Sequence, residues 1–326
     1  MAQHAEEHNY HIAIAMPPID GWYIHPPTAS LFKKYNERLS LLIHGNNHVK
    51  EELAKPLSES GMNTMIAQAL KRTASFEKRS GIAISRVMAA PHGHCSEEMM
   101  KKMLFLGFEA ATISKPYPWL PRPPQDRALA GWNPAEFVAG GFPVLPRFRF
   151  ADSTDDLSLR TFLDQPLIMY GHHSDLASGL EILEKLADKV NRFENVNWIS
   201  LQEMARSNYV TQKEGSVLTI VMYSRRIRIR IPLDIDHIIV EIPSSHDSIE
   251  QELIAIRKSS DPDLKIISGR PFVPIPITIS GPVDVSLVRS KYGDPANYPN
   301  PPFYAWPIIR RILTEGRDRL APILTA

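Results

Sequence analysis

The sequence predicts an α/β fold over residues 1–209, a set of parallel strands alternating with helices, followed by a β-rich, sandwich-like region over residues 210–326 that ends in a helix. Two observations carry this. Up to about Tyr209, short apolar runs alternate with segments of helical periodicity, as in βα units. After Val210 the apolar runs alternate residue by residue and helical inserts become rare. A hydrophobic fraction of 43% in 326 residues is enough for a sizeable core.

Taken in order, a charged helix over Ala2–Asn9 feeds a strand at His11–Met16. Further strands are read at Leu39–Ile43, Arg86–Ala90, Glu109–Ser114, Pro143–Pro146, Pro166–Tyr170 and Val196–Ile199. Helices fall between them at Thr28–Glu37, Gly61–Arg79, Ser96–Leu106, Leu176–Arg192 and Leu201–Arg206. Ser96 with Glu97 and Glu98 marks a helix start, because a hydroxyl and early carboxylates suit the free amides and positive dipole end. Lys115–Asp126 holds five prolines without amide donors and reads as a long excursion over one end of an α/β barrel. In the second region strands are expected at Val217–Tyr223, Ile227–Ile231, Ile238–Ile242 and Pro274–Ile279, with a helical insert near Ile249–Arg257. The tail helix, Trp306–Leu324, offers Ile308, Ile309, Ile312 and Leu313 as a docking face.

Composition narrows the partners. With 37 basic and 36 acidic residues, no overall field draws the chain to nucleic acid or anionic lipid. Arg225–Ile231 alternates arginine with isoleucine, which reads as the solvated and buried faces of one strand rather than a nucleic-acid stripe. No apolar stretch approaches about 18 residues and the start is polar, so the sequence as it stands predicts no membrane span, no export signal and a cytoplasmic location. The single cysteine, Cys95, permits no internal disulfide and reads as a small buried residue before a helix cap.

Three of the histidine groups follow predicted strands: His44 and His48 after Ile43, His92 and His94 after Ala90, and His172 and His173 after Tyr170. In parallel α/β folds the C-terminal strand ends converge on one face, where distant residues meet around a ligand. If the chain turns helical after Ile43, two imidazoles four apart share a side and can clip a divalent metal. His4 and His8 have the same spacing but sit on a charged helix with no strand before it, and read as solvated surface.

His44-Gly45-Asn46-Asn47-His48 resembles the metal-binding HSxxH motif of the polysaccharide deacetylases, the carbohydrate esterase family 4 or NodB-homology proteins, with Gly45 where that motif has serine or threonine. Arg86 to Gly93, ending in Pro91-His92-Gly93, resembles the family's RxPxG loop. Leu167 to His173 resembles its late histidine-bearing strand. The likeness covers roughly residues 10–205. It implies a distorted (β/α) barrel and a metal-dependent hydrolase that removes acyl, usually acetyl, groups from a carbohydrate or a related amide or ester. On that resemblance His44 and His48 hold a divalent metal, normally zinc, and His172 or His173, with His173 favoured, protonates the leaving group. Pro91, His92, Trp132 and Asp175 contact a glycan or small-molecule substrate.

One part of the family pattern is missing. Its paired aspartates precede the histidine pair on the first barrel strand, and no Asp-Asp precedes His44. Asp20 is the one acid–base candidate there, and its place before Gly21 equally fits a turn. A barrel opening on its first helix lacks a strand and leaves edges unpaired. Two explanations stand: the sequence starts downstream of the true start, or the barrel has lost turnover. The latter gives the alternative reading, an inactive carbohydrate-binding or scaffolding protein with Trp22, Trp119 and Trp132 stacked on sugar rings.

Overall fold

The computed structural model describes residues 1–114, 135–138, 141–150, 157–242, 253–258, 267–288 and 292–324. The first region runs α1 (Ala2–Glu7), β1 (Ile12–Met16), α2 (Pro26–Lys34), β2 (Leu39–Ile43), α3 (Glu59–Ser80), β3 (Ile84–Ala89), α4 (Glu97–Phe105) and β4 (Ala110–Ile113). It continues through β5 (Glu136–Val138), β6 (Phe142–Pro146), β7 (Phe148–Arg149), α5 (Leu157–Phe162), β8 (Met169–Tyr170), α6 (Glu181–Asn191) and α7 (Leu201–Arg206).

The main sheet has six strands in the order β1-β2-β3-β4-β6-β5. The first five in that order are parallel, and β5 adds antiparallel to β6 at one edge. Leu41, Leu42 and Ile43 on β2 and Val87, Met88 and Ala89 on β3 are all buried, as expected of strands covered on both faces. β7 and β8 form a separate parallel pair. Among the described residues these pairings leave the sheet open, with β1 as its other edge.

Local chemistry sets the element ends. Ser58 Oγ accepts from Gly61 N (3.1 Å) to start α3, and Gly81 at φ 68° ends it. Ser96 Oγ accepts from Met99 N (3.2 Å) to start α4, the cap read in the sequence. The apolar faces of α3 and α4 supply Met62, Ile66, Met99, Met100 and Met103 to one buried cluster with the strands.

The strand expected at Val196–Ile199 does not form. The segment has no regular structure and lines the same cavity as β1, and it makes no ladder with a neighbour among the described residues; an apolar run becomes a strand only by pairing. Likewise only Met169–Tyr170 of the run expected at Pro166–Tyr170 is paired.

The second region contains β9 (Tyr209–Glu214), β10 (Val217–Met222), β11 (Arg226–Ile231), β12 (His237–Glu241), β13 (Leu253–Lys258), β14 (Ile267–Gly269), β15 (Ile275–Pro276), β16 (Gly281–Val288) and α8 (Trp306–Leu324). Two four-stranded sheets, β15-β12-β10-β9 and β11-β16-β13-β14, enclose one core that draws on Ile220, Ile227, Ile254 and Val283. The arginine stripe resolves as expected for a half-buried strand. Ile227, Ile229 and Ile231 are buried, while Arg226 and Arg228 point outward and pair with Asp284 on β16 (2.8 and 2.9 Å).

Two expectations for this region fail. The insert near Ile249–Arg257 is a strand from Leu253 onward, because Ile254 and Ile256 alternate into the core and pair with both β14 and β16; residues 249–252 lie outside the described residues. On α8 the supposed docking face is in solvent, with Ile308, Ile309, Ile312 and Leu313 between 44% and 65% exposed. Its arginines make the contacts instead, as described below. The proline-rich stretch Lys115–Asp126 lies outside the described residues.

Candidate functional site

The parallel strands aim their C-terminal ends at one cavity of about 1750 Å³. His44 follows β2, His92 follows β3, Ser114 follows β4, Arg147 follows β6, and His172 and His173 follow β8; all of them line it. Three imidazoles from two strand ends gather closely. The His44 and His48 rings lie 4.7 Å apart between centroids, and those of His48 and His92 5.5 Å apart.

The chain does not turn helical after Ile43. Residues 44–48 form a loop in which Gly45 has φ 67° and His48 φ 54°, so the two imidazoles are neighbours through loop geometry rather than helical spacing. Glu52, 3% exposed, braces this loop: its carboxylate accepts the backbone amides of Asn46 (2.8 Å), Asn47 (3.0 Å) and His48 (2.9 Å). Arg72 donates to the side-chain oxygens of Asn46 and Asn47 (2.7 Å each), and Asn46 donates to Gln68 Oε1 (2.8 Å). The same brace explains glycine at position 45. A Cβ there would collide with Glu52 Oε1 and lie 2.7 Å from Pro91 Cγ, at a φ that disfavours any side chain.

The β3 loop is built similarly. His92 has φ 57°, and a Cβ on Gly93 would collide with the Ser114 hydroxyl. Non-glycine residues in the left-handed region are uncommon and concentrate at functional sites. His48 and His92 both belong to the cluster.

The electrostatics suit neutral imidazoles. His44 Nδ1–H donates to the Ala89 carbonyl (2.8 Å), which can only accept, so the lone pair of His44 rests on Nε2. Burial pushes His44 down to about 3 and His48 down to about 4, with neighbouring His92 and the arginines acting in the same direction. A neutral ring, oriented through its other nitrogen by a carbonyl, is the state in which histidine binds metal. His44 and His48 are thus in the protonation state that metal binding needs, with the His92 ring beside His48.

A different set of donors meets a geometric condition for holding a metal ion that the His44, His48 and His92 cluster does not meet. Among the described residues, His4, His8 and Glu184 offer three ligand atoms that all lie within 4.8 Å of one another, between α1 and α6. His4 Nδ1 bonds the Tyr10 hydroxyl (2.8 Å) and His8 Nε2 lies 4.0 Å from Glu184. The helix pair expected as solvated surface is thus partly buried against a neighbour.

Other expected site residues are placed less directly. Asp20 sits in a short 3-10 turn (Pro18–Trp22), and its carboxylate pairs with Arg311 of α8 (2.8 and 2.9 Å), one of the cavity residues. Pro91 is buried and packs behind the His44 loop rather than lining the cavity. Asp175 also stays off the cavity wall: it accepts from the His172 amide (2.8 Å) and from Arg149 (2.6 Å), which hold its carboxyl below the ordinary range and fix the turn carrying His172 and His173. Both of those histidines are exposed at the cavity wall, so the choice between them is not made by burial. Trp22 is 78% exposed and does not line the cavity; Trp119 and Trp132 lie outside the described residues. Cys95 is fully buried, and burial pushes its thiol up, so it offers no thiolate ligand.

Sequence reasoning missed Glu52, Arg72, Arg147 and the arginines of α8. Arg147 carried a usable signal, because it follows an apolar strand as His44 does. Glu52 carried none, since nothing in Lys50-Glu51-Glu52 separates the buried carboxylate from its neighbour. No family model, curated protein or solved structure matches this chain. No helix among the described residues is long and apolar enough to cross a membrane.

Proposed function

We propose that the chain is a metal-dependent hydrolase of the NodB-homology type, built on a distorted barrel, that removes acyl groups from a carbohydrate or a related amide or ester. The observation that carries this reading is the gathering of His44, His48 and His92 at adjacent strand ends, the first two held neutral by burial, facing a cavity large enough for a sugar-sized ligand. His44 and His48 would hold the ion, zinc by the chemistry of imidazole donors. A bound divalent ion would polarise the acyl carbonyl and lower the pKa of an adjacent water.

The chain's own residues supply the rest. Glu52 and Arg72 keep the imidazoles in place, and the left-handed backbone at His48 and His92 turns their rings into the cavity. His173, with His172 as the second candidate, delivers a proton to the leaving nitrogen or oxygen. Asp20 is the candidate base, and release from Arg311 would be required for it to accept a proton.

That engagement of Asp20 supports a second reading, in which the cavity binds a glycan without turnover. The two readings separate in one assay. Zinc- or cobalt-loaded protein should release acetate from acetylated chito-oligosaccharide or an aryl acetate, and His173→Ala should slow release by about a hundredfold or more while leaving metal content unchanged. Metal-loaded protein that binds the oligosaccharide and releases nothing would favour the binding role.

A further inference from the structure

Among the described residues, two of the guanidinium groups around the imidazoles have no carboxylate partner, unlike Arg311, which pairs with Asp20. Arg147 donates from Nη2 to the Ala90 carbonyl (2.9 Å) and lies over the Tyr170 ring (4.7 Å), and its Nε is buried with no hydrogen-bond partner. Arg310, from α8, donates to the His48 carbonyl, and its Nε is likewise buried and unpartnered. Neither arginine forms an ion pair with a carboxylate among the described residues. Asp20 is taken by Arg311, and the carboxylates that line the cavity, Asp164 and Glu194, pair with neither guanidinium. The two charges flank the cluster: Arg147 acts on His44, and Arg310 acts on His48.

Holding guanidinium groups partly out of water without a counter-charge is costly unless a ligand supplies one. The planar fork of arginine matches carboxylate and phosphate oxygens, which take two parallel hydrogen bonds. Both arginines line the cavity, and the Nε–H of each lacks an acceptor.

We propose that Arg147 and Arg310 form an anion subsite beside His44 and His48, and that the ligand of this cavity carries a carboxylate or phosphate group. On the carbohydrate reading proposed above, its ligand class then extends to acidic or phosphorylated carbohydrates. The subsite stands whether or not the cavity hydrolyses what it binds, so its test avoids both metal and turnover.

The experiment is calorimetric titration of metal-free, desalted protein with inorganic phosphate and, separately, with glucuronate, using glucose as the neutral control. Saturable binding of either anion, weakening as salt is raised and absent for glucose, is expected; which anion binds tells phosphate from carboxylate recognition. Arg147→Gln and Arg310→Gln should each weaken it about tenfold or more. Arg147→Lys keeps the charge and loses the fork, so it should fall between wild type and Arg147→Gln, with thermal midpoints confirming that the variants fold. Arg310 lies on α8, outside the sheet, so Arg310→Gln carries the test if substitution at Arg147 unfolds the chain. No saturable binding by wild type, or equal affinity in folded Arg310→Gln and Arg147→Lys, would overturn the proposal.

Discussion

Two segments of this chain carry histidines four residues apart, and the structure treats them in opposite ways. His4-Ala5-Glu6-Glu7-His8 belongs to α1 and its continuation, with rings 4.3 Å apart, and meets Glu184 of a neighbouring helix. His44-Gly45-Asn46-Asn47-His48 is a loop at a strand end, with rings 4.7 Å apart, and meets His92 from the next strand instead of a carboxylate. Spacing alone predicts a metal clip for both. What differs is the support: the helix holds its pair by its own hydrogen bonds, whereas the loop depends on Glu52, Arg72 and a glycine at position 45.

The middle residues show this most directly. Ala5, fully buried, fits in α1 where Gly45 stands in the loop. Gly45→Ala should therefore be the most damaging single change, costing about 3 kcal/mol through the left-handed φ and the collision with Glu52, and should abolish metal binding at His44 and His48. Denaturant titration and metal analysis check both. Full stability and metal content in that variant would show that the loop can be rebuilt without its brace.

Glu52→Gln is next. It leaves a single carbonyl oxygen for the amides that the two carboxylate oxygens now hold and should cost about 2 kcal/mol, read in the same denaturation experiment. Stability should also depend on acid through the loop pair. Because the folded values of His44 and His48 lie below the ordinary 6.5, the unfolded chain takes up more protons as pH falls. Their contribution is complete above about 6.5 and is lost toward about 4 for His48 and about 3 for His44. Metal-free His48→Gln should show a shallower loss of stability between about pH 6.5 and 4 than wild type; equal slopes would contradict the assignment. The smallest effect belongs to the helix: His8→Ala, losing one partly exposed pair with Glu184 at 4.0 Å, should change stability by less than about 1 kcal/mol.

The sequence made the strands and their ends legible because apolar runs buried on both faces leave a strong periodic record. It therefore placed His44, His92 and His173 at strand ends. It misjudged Val196–Ile199 and the segment from Leu253, since pairing partners decide whether a short apolar run becomes a strand, and partners are remote in sequence. Whether residues 44–48 turn helical was open in the sequence, because HxxxH spacing fits a helix turn and a loop; the distinguishing facts, a positive φ at His48 and a carboxylate beneath the amides, arise only in three dimensions. Arg310 was invisible for a similar reason: it comes from the last helix of the chain, where only the apolar residues Ile308, Ile309, Ile312 and Leu313 suggested a contact face.

The direct test of the central claim is zinc stoichiometry of three proteins prepared side by side, wild type, His44→Ala/His48→Ala and His4→Ala/His8→Ala. The account predicts that the strand-end double variant loses the tightly held ion while the helix double variant keeps it. Tight zinc retained without His44 and His48, and lost without His4 and His8, would contradict it and move the metal to the helix pair.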